Sequence, residues 1–466
     1  MNVLDAFHLP DLEEADVESW RTLDRGGVIV RAPVLRAGAL ARMIARMRAA
    51  RTLALESRTA QEIVAVIDRT TDLLLEEQTI GPLLDALPAV TGYSAAMARL
   101  VVERMAEDWR RPALERLLDA ELAGGRALDA FVERPGRRAH SLAVGPPLTF
   151  HIFSGNVPGV AVTSMVRALL VRSAVLGKTA SGEPLLAPLF ARTLARMEPD
   201  MARCMAVLYW PGGADAIEDT ALEEADAIIV YGSGETVRAI RRRAPERARV
   251  IEHGPRFSIG LVAREMMADG ETAARVAEVA AVATAMFDQQ GCVSPHMIWV
   301  EGDASAADRF ARLLADALGR LAVTLPRGSI DPGSAAAVRE ARTAAEFRAI
   351  GGADVEVFTG PGAGTGWTVI REAAPEFRPS PLFRTISVQP LPRLEDAAAC
   401  IVPWGASLQT VAVAASRERV VALAPGLARA GAMRVTDFER MPWPPADGHH
   451  DGSGALTELV RWVDLE

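Results

Sequence analysis

Cysteine is scarce. Cys204, Cys292 and Cys400 are the three in 466 residues, far apart, with no CxxC pair and no metal-ligand spacing. A disulfide framework or a cysteine-based zinc module is excluded, and the usage suits a reducing cytosol. Positive charge is also in deficit: 51 lysines and arginines face 60 acidic residues, a net charge of −9, which argues against nucleic acid as the main partner. The most apolar long run, Val160 to Gly177, is broken by Arg167 and Arg172, so no segment is expected to span a membrane. The opening MNVLDAFHLPDLEEADVE lacks the basic region and apolar core of a signal peptide. There is no internal repeat, no low-complexity linker and no GxGxxG fingerprint. What remains is a cytoplasmic globular protein, too long for one hydrophobic core and expected to form two or three domains.

Residues 1 to about 125 read mostly as amphipathic helices. LRAGALARMIARMRAA, TAQEIVAVIDRTTDLLLEE and YSAAMARLVVERMAEDW carry apolar residues at three- and four-residue spacing. AFVERPGRRAH then reads as a β-hairpin or an extended arm. From Ser141 the pattern becomes strand, glycine turn, helix: SLAVGPPLTFHIF before SGNVPG, SAVLGK ending at Lys178, MAVLY, AIIVY before Gly232-Ser233-Gly234, and RVIEHG. Alternating strands and helices predict a parallel, doubly wound sheet, with ligands beyond the carboxyl ends of its strands. A second α/β unit begins at Ser258, with strands expected at HMIWV, Val355–Thr359, Trp367–Ile370 and TISVQPL. Helices are expected near Ala304–Leu321 and Glu418–Ala430, and ALTELVRWV reads as a closing helix.

The chemistry centres on FDQQGCVSPH, residues 287–296. Cys292 falls on a tight connection between an Ala/Val-rich helix and the HMIWV strand. There a thiolate stays accessible as a nucleophile; the competing reading is a small buried hydrophobe. Asn156, in the turn after a strand, either aims its amide at a developing oxyanion or caps the next helix. Lys178, directly after a buried strand, either snorkels or holds an anion. Gly232 and Ser233 offer backbone N–H groups and a helix N-terminus to phosphate, or form only a turn. Glu252 is a general base or a salt-bridge partner. Arginines 238, 241, 242, 243, 247 and 249 form a solvated helix face or a patch for a phosphate-rich ligand. His296 reads as a packed histidine. His449-His450-Asp451 sits in a Gly/Pro loop as a lid element; alone it is not a metal site.

Together these motifs resemble the aldehyde dehydrogenase superfamily, and more closely its LuxC-type acyl-CoA reductase branch, which supplies aldehyde for bacterial bioluminescence and related pathways. The resemblance runs from about Ser141 to the C-terminus, with a looser helical match before it. GNVPG is similar to the asparagine turn of the oxyanion hole and implies that role for Asn156. GKTASGEP is similar to the cofactor lysine loop, implying Lys178 at the adenosine ribose. VYGSGET resembles the loop at the pyrophosphate and nicotinamide end (Gly232, Ser233), IEHGPRFS the general-base segment (Glu252), and QQGCVSP the nucleophile motif (Cys292). SPLFRTISV and HDGSGALTELVRWVD are more typical of the reductase branch.

Two departures matter. The superfamily's acidic residue three positions after the lysine is replaced by Ser181, which removes repulsion against a 2′-phosphate and favours NADPH. A second acidic residue, expected for the nicotinamide ribose, is replaced by Pro381. The implied fold is α/β and aldehyde dehydrogenase-like, with cofactor-binding and catalytic domains, each three-layered. The expected division is a helical N-terminal segment over 1–125, the cofactor-binding domain over 126–257 and the cysteine domain over 258–400. A segment over 401–466 is expected to close the site and contribute to dimerisation. The implied reaction is NADPH-dependent reduction of a fatty acyl-CoA, or another activated acyl thioester, to the aldehyde through a Cys292 thioester. An acyl-carrier donor and an acyl-protein synthetase are the implied partners. A homo-oligomer is also implied, with AFVERPGRRAH and the C-terminal segment as candidate contacts. The alternatives are an oxidising aldehyde dehydrogenase using Glu252 to activate water, a non-reducing cysteine acyl carrier or transferase, and a silent subunit.

Overall fold

The computed structural model describes residues 2–133, 139–213, 216–360, 362 and 364–466. They form two compact units: Met1–Thr91, Ala98–Gly254 and Pro445–Glu466 make the first, and Gly92–Met97 with Pro255–Pro444 the second.

The first unit is built on a five-stranded parallel sheet, in spatial order Arg249–His253, Ala227–Tyr231, Leu148–Ile152, Ala174–Thr179, Met205–Tyr209. Its three central strands are buried along their whole length, as near-continuous apolar runs in a parallel sheet covered on both faces must be. The order reverses between Leu148–Ile152 and Ala227–Tyr231. The crevice beyond that reversal is where open parallel sheets bind ligands, and the chain places SGNVPG after one strand and Gly232-Ser233 after the other. Helices Val160–Leu170, Leu186–Met197, Ala216–Glu224 and Gly234–Arg243 lie on the four crossovers.

Residues 2–35 depart from the helical expectation. They form a three-stranded sheet of Asn2–Asp5, Val17–Arg25 and Val28–Leu35, and the first helix starts at Ala39. The signal was Gly26-Gly27 between two strand-like runs. Both glycines have positive φ, 61° and 93°, as a tight two-residue hairpin turn requires. In AFVERPGRRAH, Val132–Glu133 pairs antiparallel with His140–Ser141; the residues joining them lie outside the described ones. The expected C-terminal helix ALTELVRWV is a turn followed by strand Arg461–Leu465, which pairs antiparallel with His140–Val144.

The second unit holds a seven-stranded sheet in the order Val355–Thr359, Thr368–Glu372, Thr385–Leu391, Pro295–Glu301, Phe257–Val262, Leu408–Ala414, Arg434–Thr436. It is parallel except at the first pair. Helices Gly270–Ala285 and Ala304–Thr324 pack on it through alanines and Phe310. Helix Pro332–Ile350 was not anticipated: only Ala335, Val338 and Ala345 are buried along it, too faint a stripe to read as periodicity. Its start is marked by Asp331, whose side chain accepts from Ser334 N–H, followed by Pro332. The division expected at 400/401 differs from the packing. Strands Leu408–Ala414 and Arg434–Thr436 belong to this sheet, and only Pro445–Glu466 returns to the first unit. Among the described residues, no helix is long and apolar enough to cross a membrane.

Candidate active site

On the second unit, Cys292 is half-buried in the turn between helix Gly270–Ala285 and strand Pro295–Glu301. The helix does not run smoothly into this turn. Phe287, Asp288 and Gln289 have φ of 57°, 47° and 66°, a left-handed conformation costing about 1–2 kcal/mol for each non-glycine residue. A second such triplet, Leu382, Phe383 and Arg384 at 68°, 53° and 61°, lies in SPLFRT. The two are fastened to each other. The Asp288 carboxylate accepts a hydrogen bond from Arg384 Nε at 2.9 Å and forms an ion pair with Nη2 at 2.7 Å, the two side chains being 2% and 1% exposed. Gln289 Oε1 accepts from Thr385 N–H at 2.8 Å, and its Nε2 donates to the carbonyls of Thr385 and Pro295, each at 2.8 Å. Gly328 N–H donates to Asp288 and Arg384 Nη1 to the Leu325 carbonyl. Beneath the thiol, Ser258 Oγ donates to the Cys292 carbonyl at 2.8 Å. Strain of this kind persists only where surroundings over-determine it, and here they hold the turn that carries Cys292. Asp288, Gln289 and Arg384 were missed from sequence.

The other cysteines differ. Cys204 is buried and its thiol pushed up to about 12; burial also raises the thiol of Cys400. His296 packs against Phe257, accepts from Ser380 N–H at 3.2 Å, and has its pKa lowered by burial to about 4. It therefore stays neutral in the fold while the unfolded chain takes up a proton below about pH 6.5. Stability is complete above that pH and falls as pH drops from 6.5 toward 4, by about 1.4 kcal/mol per pH unit from this residue. Urea unfolding at pH 7 and pH 5 should show the loss, and His296→Gln should reduce it by this residue's share, the remainder coming from His151, lowered by burial to about 3, and from His8, lowered by the same cause.

The remaining predicted residues lie on the first unit. Asn156 is exposed in the loop after Leu148–Ile152. That loop touches the lysine loop so closely that a Cβ on Gly155 would sit 2.9 Å from Gly182 Cα and from Glu183 N. Lys178 neither snorkels nor stands alone: its ammonium is buried against Glu218, over the ring of Trp210. Glu218 also receives Arg243 at 2.5 Å. Ser181 is half-buried, and its carbonyl accepts from Arg25 Nη2 at 3.1 Å. Gly232 N–H donates to the His253 carbonyl, and Ser233 Oγ accepts from Thr236 N–H as the cap of helix Gly234–Arg243. Glu252, the penultimate residue of its strand, faces Arg241 at 3.4 Å. The basic stretch is largely structural. Arg243 holds Glu218 and Asp219, Arg247 faces Asp226, and Arg249 donates to the carbonyls of Glu458 and Val460. His450 and Asp451 meet His253: the imidazoles of His253 and His450 stack at 4.2 Å, and His253 Nδ1 lies 2.7 Å from Asp451 Oδ2.

A doubly wound unit with glycine turns at its strand reversal, and a second unit presenting a braced cysteine, is an arrangement other proteins share. A family model described as Acyl-CoA reductase (LuxC) matches residues 55–462. The chain belongs to the LuxC acyl-CoA reductase family. Among curated relatives, the long-chain acyl-protein thioester reductase of Aliivibrio fischeri is 26% identical over 398 residues, covering 82% of this chain and 76% of the relative. That of Vibrio harveyi is 25% identical over 390 residues, covering 80% and 76%. Solved structures give the fold. Aldehyde dehydrogenase 21 from Physcomitrella patens superposes with a TM-score of 0.75 at 13% identity over 100% of this chain and 98% of that one. A benzaldehyde dehydrogenase from Corynebacterium glutamicum gives 0.72 at 18% over 97% and 96%. This LuxC-family chain is thus an oxidoreductase of aldehyde dehydrogenase-like fold that reduces an activated acyl group.

Proposed function

We propose that the protein reduces a long-chain fatty acyl thioester, with coenzyme A or an acyl-protein as donor, to the aldehyde through a thioester on Cys292, with NADPH as reductant. The observation that carries this reading is the half-buried Cys292 on a turn over-determined by Asp288–Arg384 and Gln289–Thr385, where a nucleophile needs fixed position and access.

Cys292 Sγ attacks the acyl carbon, the bond to the donor sulfur breaks, and the donor thiol departs with a proton. The role of donor to the carbonyl oxygen, as charge develops on it, falls to the Asn156 amide on the strength of the GNVPG resemblance alone. NADPH, when bound, supplies the hydride that reduces the acyl carbon. Breaking the carbon–Sγ bond of the resulting thiohemiacetal then frees the aldehyde and restores the Cys292 thiolate. Nothing in this direction calls for an activated water, so Glu252 can remain engaged with Arg241. Glu252→Gln should slow hydrolysis of the acyl-enzyme more than tenfold, in line with the usual worth of a general base. Aldehyde formation should change by less than about threefold. Equal losses in both assays would count against this division of labour.

The first unit fits a phosphorylated dinucleotide. No carboxylate stands at Ser181, and Arg25 bonds the Ser181 carbonyl while its buried Nε has no hydrogen-bond partner. Gly232 and Ser233 open a helix at the strand reversal. Lys178 has three N–H donors and can keep Glu218 while offering another to the ribose. Arg25→Ala should raise KM for NADPH about tenfold, the worth of one charge-assisted phosphate contact, and leave KM for NADH within about twofold. A uniform rise for both would remove Arg25 from 2′-phosphate recognition.

The test of the whole reading is a single-turnover assay with a long-chain acyl-CoA, following CoA release and then NADPH oxidation. Stoichiometric release followed by NADPH-dependent aldehyde supports it. Release without NADPH oxidation keeps the thiol and makes the protein an acyl carrier.

A further inference from the structure

We propose that His253, His450 and Asp451 form a binding site for one divalent transition-metal ion of the zinc class. The three residues come from distant parts of the chain. His253 ends strand Arg249–His253, and the other two arrive on the C-terminal segment. That segment is tied down at His450 and just beyond Asp451. His450 and Ser453 exchange backbone hydrogen bonds at 2.9 and 3.0 Å, and the Glu121 carboxylate accepts from the N–H groups of Ala455, Leu456 and Thr457. The ligand positions therefore rest on held backbone rather than on a loose loop.

The donor atoms converge. One nitrogen from each imidazole and one carboxylate oxygen all lie within 4.8 Å of one another, and His253 Nδ1 and Asp451 Oδ2 are already 2.7 Å apart. The two rings stack face to face, and Tyr231 stacks on His253 at 4.5 Å, which fixes that ring's plane; because the nitrogen lone pairs lie in the ring planes, taking up an ion requires the His450 ring to turn out of the stack. Beside them is a cavity of about 20 Å³ lined by both histidines, Tyr231, Ser164, Arg167 and Glu458. That volume accommodates one water or one ion and nothing larger. Two ligands of one tetrahedral zinc ion at about 2.1 Å lie about 3.4 Å apart, so closure from a spread of up to 4.8 Å asks for side-chain movements of about an ångström.

The donor set decides the class of ion. Two neutral imidazoles and one carboxylate, with space for water, match zinc and its late first-row neighbours; magnesium and calcium take all-oxygen shells. The tripeptide His449-His450-Asp451 alone does not supply this set, because it lacks the third ligand, which the fold brings from His253. An ion held here would cross-link a strand end of the sheet to the C-terminal segment.

The test uses the full chain carrying Cys292→Ser, so that the half-buried thiol cannot be the ligand, titrated with Zn²⁺ against a chromophoric chelator and with Co²⁺ in the visible range. The expected result is one equivalent bound. Adding His253→Ala or His450→Ala should weaken binding at least tenfold, and His449→Ala should leave it unchanged. The Co²⁺ spectrum should lack a thiolate charge-transfer band. Zinc should also raise the thermal midpoint of the parent but not of the His450→Ala form, since only a ligand of the folded state stabilises it. Absence of saturable binding by the parent overturns the proposal whether or not the variants fold. So does undiminished binding after both histidines are replaced, or a Co²⁺–thiolate band. None of these readouts depends on reductase activity.

Discussion

Cys292→Ser is expected to abolish stoichiometric CoA release from a long-chain acyl-CoA and, with it, NADPH oxidation and aldehyde formation. The loss should be at least on the order of 10³-fold, because a serine hydroxyl at neutral pH is not ionised and is a far weaker nucleophile than a thiolate. The variant should fold normally: the exchange is nearly isosteric, and the Ser258 bond to the Cys292 carbonyl and the Gln289–Thr385 bond are left in place. Cys204→Ser and Cys400→Ser are the internal controls and should leave turnover within about twofold, since burial raises both thiols and suppresses the nucleophilic form. Full CoA release by Cys292→Ser would remove Cys292 as the acyl acceptor.

Arg384→Gln is expected to be the most damaging substitution away from the thiol itself. It strands the Asp288 carboxylate in a place where only 2% of the side chain is exposed, and breaking a buried pair in this way costs about 3–5 kcal/mol. The left-handed triplet at 287–289 then loses the ion-pair fastening that helps offset its strain, so the Cys292 turn should loosen as well. Asp288→Asn should be destabilising for the converse reason. The double variant Asp288→Asn with Arg384→Gln buries no uncompensated charge and should recover more than half of the lost stability. Denaturant unfolding measures the stability cycle, and the rate of Cys292 alkylation in the folded protein reports on the turn. A double variant as unstable as the sum of the two singles would show that Asp288 and Arg384 do not act as a pair. Unchanged alkylation in Arg384→Gln would confine the pair to structural support.

The strand-and-turn grammar around Gly232, Asn156 and Lys178 was legible because each strand is an apolar run ended by glycine or a charged residue, and such punctuation is local. The helix-to-strand turn at Cys292 was legible for the same reason. The brace behind it was not. Asp288 and Arg384 are 96 positions apart, and both left-handed triplets are made of residues that give no glycine signal. Lys178 could be placed at a strand end, but its partner Glu218 lies 40 positions on, in a helix that reads as ordinary charged surface. The hairpin of Val17–Arg25 and Val28–Leu35 has a local signal in Gly26-Gly27, whereas the strand at 461–465 is short, pairs across the chain and carries little periodicity of its own. The register of 461–465 is set by its partner rather than by its own sequence.

The pairing of His140–Val144 with Arg461–Leu465 also bears on how the chain is made. Ser141 and Asp464, which hydrogen bond to each other there, are separated by 323 residues. At the usual 5–20 residues per second, strand 140–144 waits roughly 15 to 65 seconds on the ribosome before its partner has been synthesised. Until then one edge offers unpaired N–H and C=O groups to any passing strand. Production of this protein should accordingly be sensitive to chaperone supply during translation, and tolerant of refolding from the full-length chain, where both strands are present from the start.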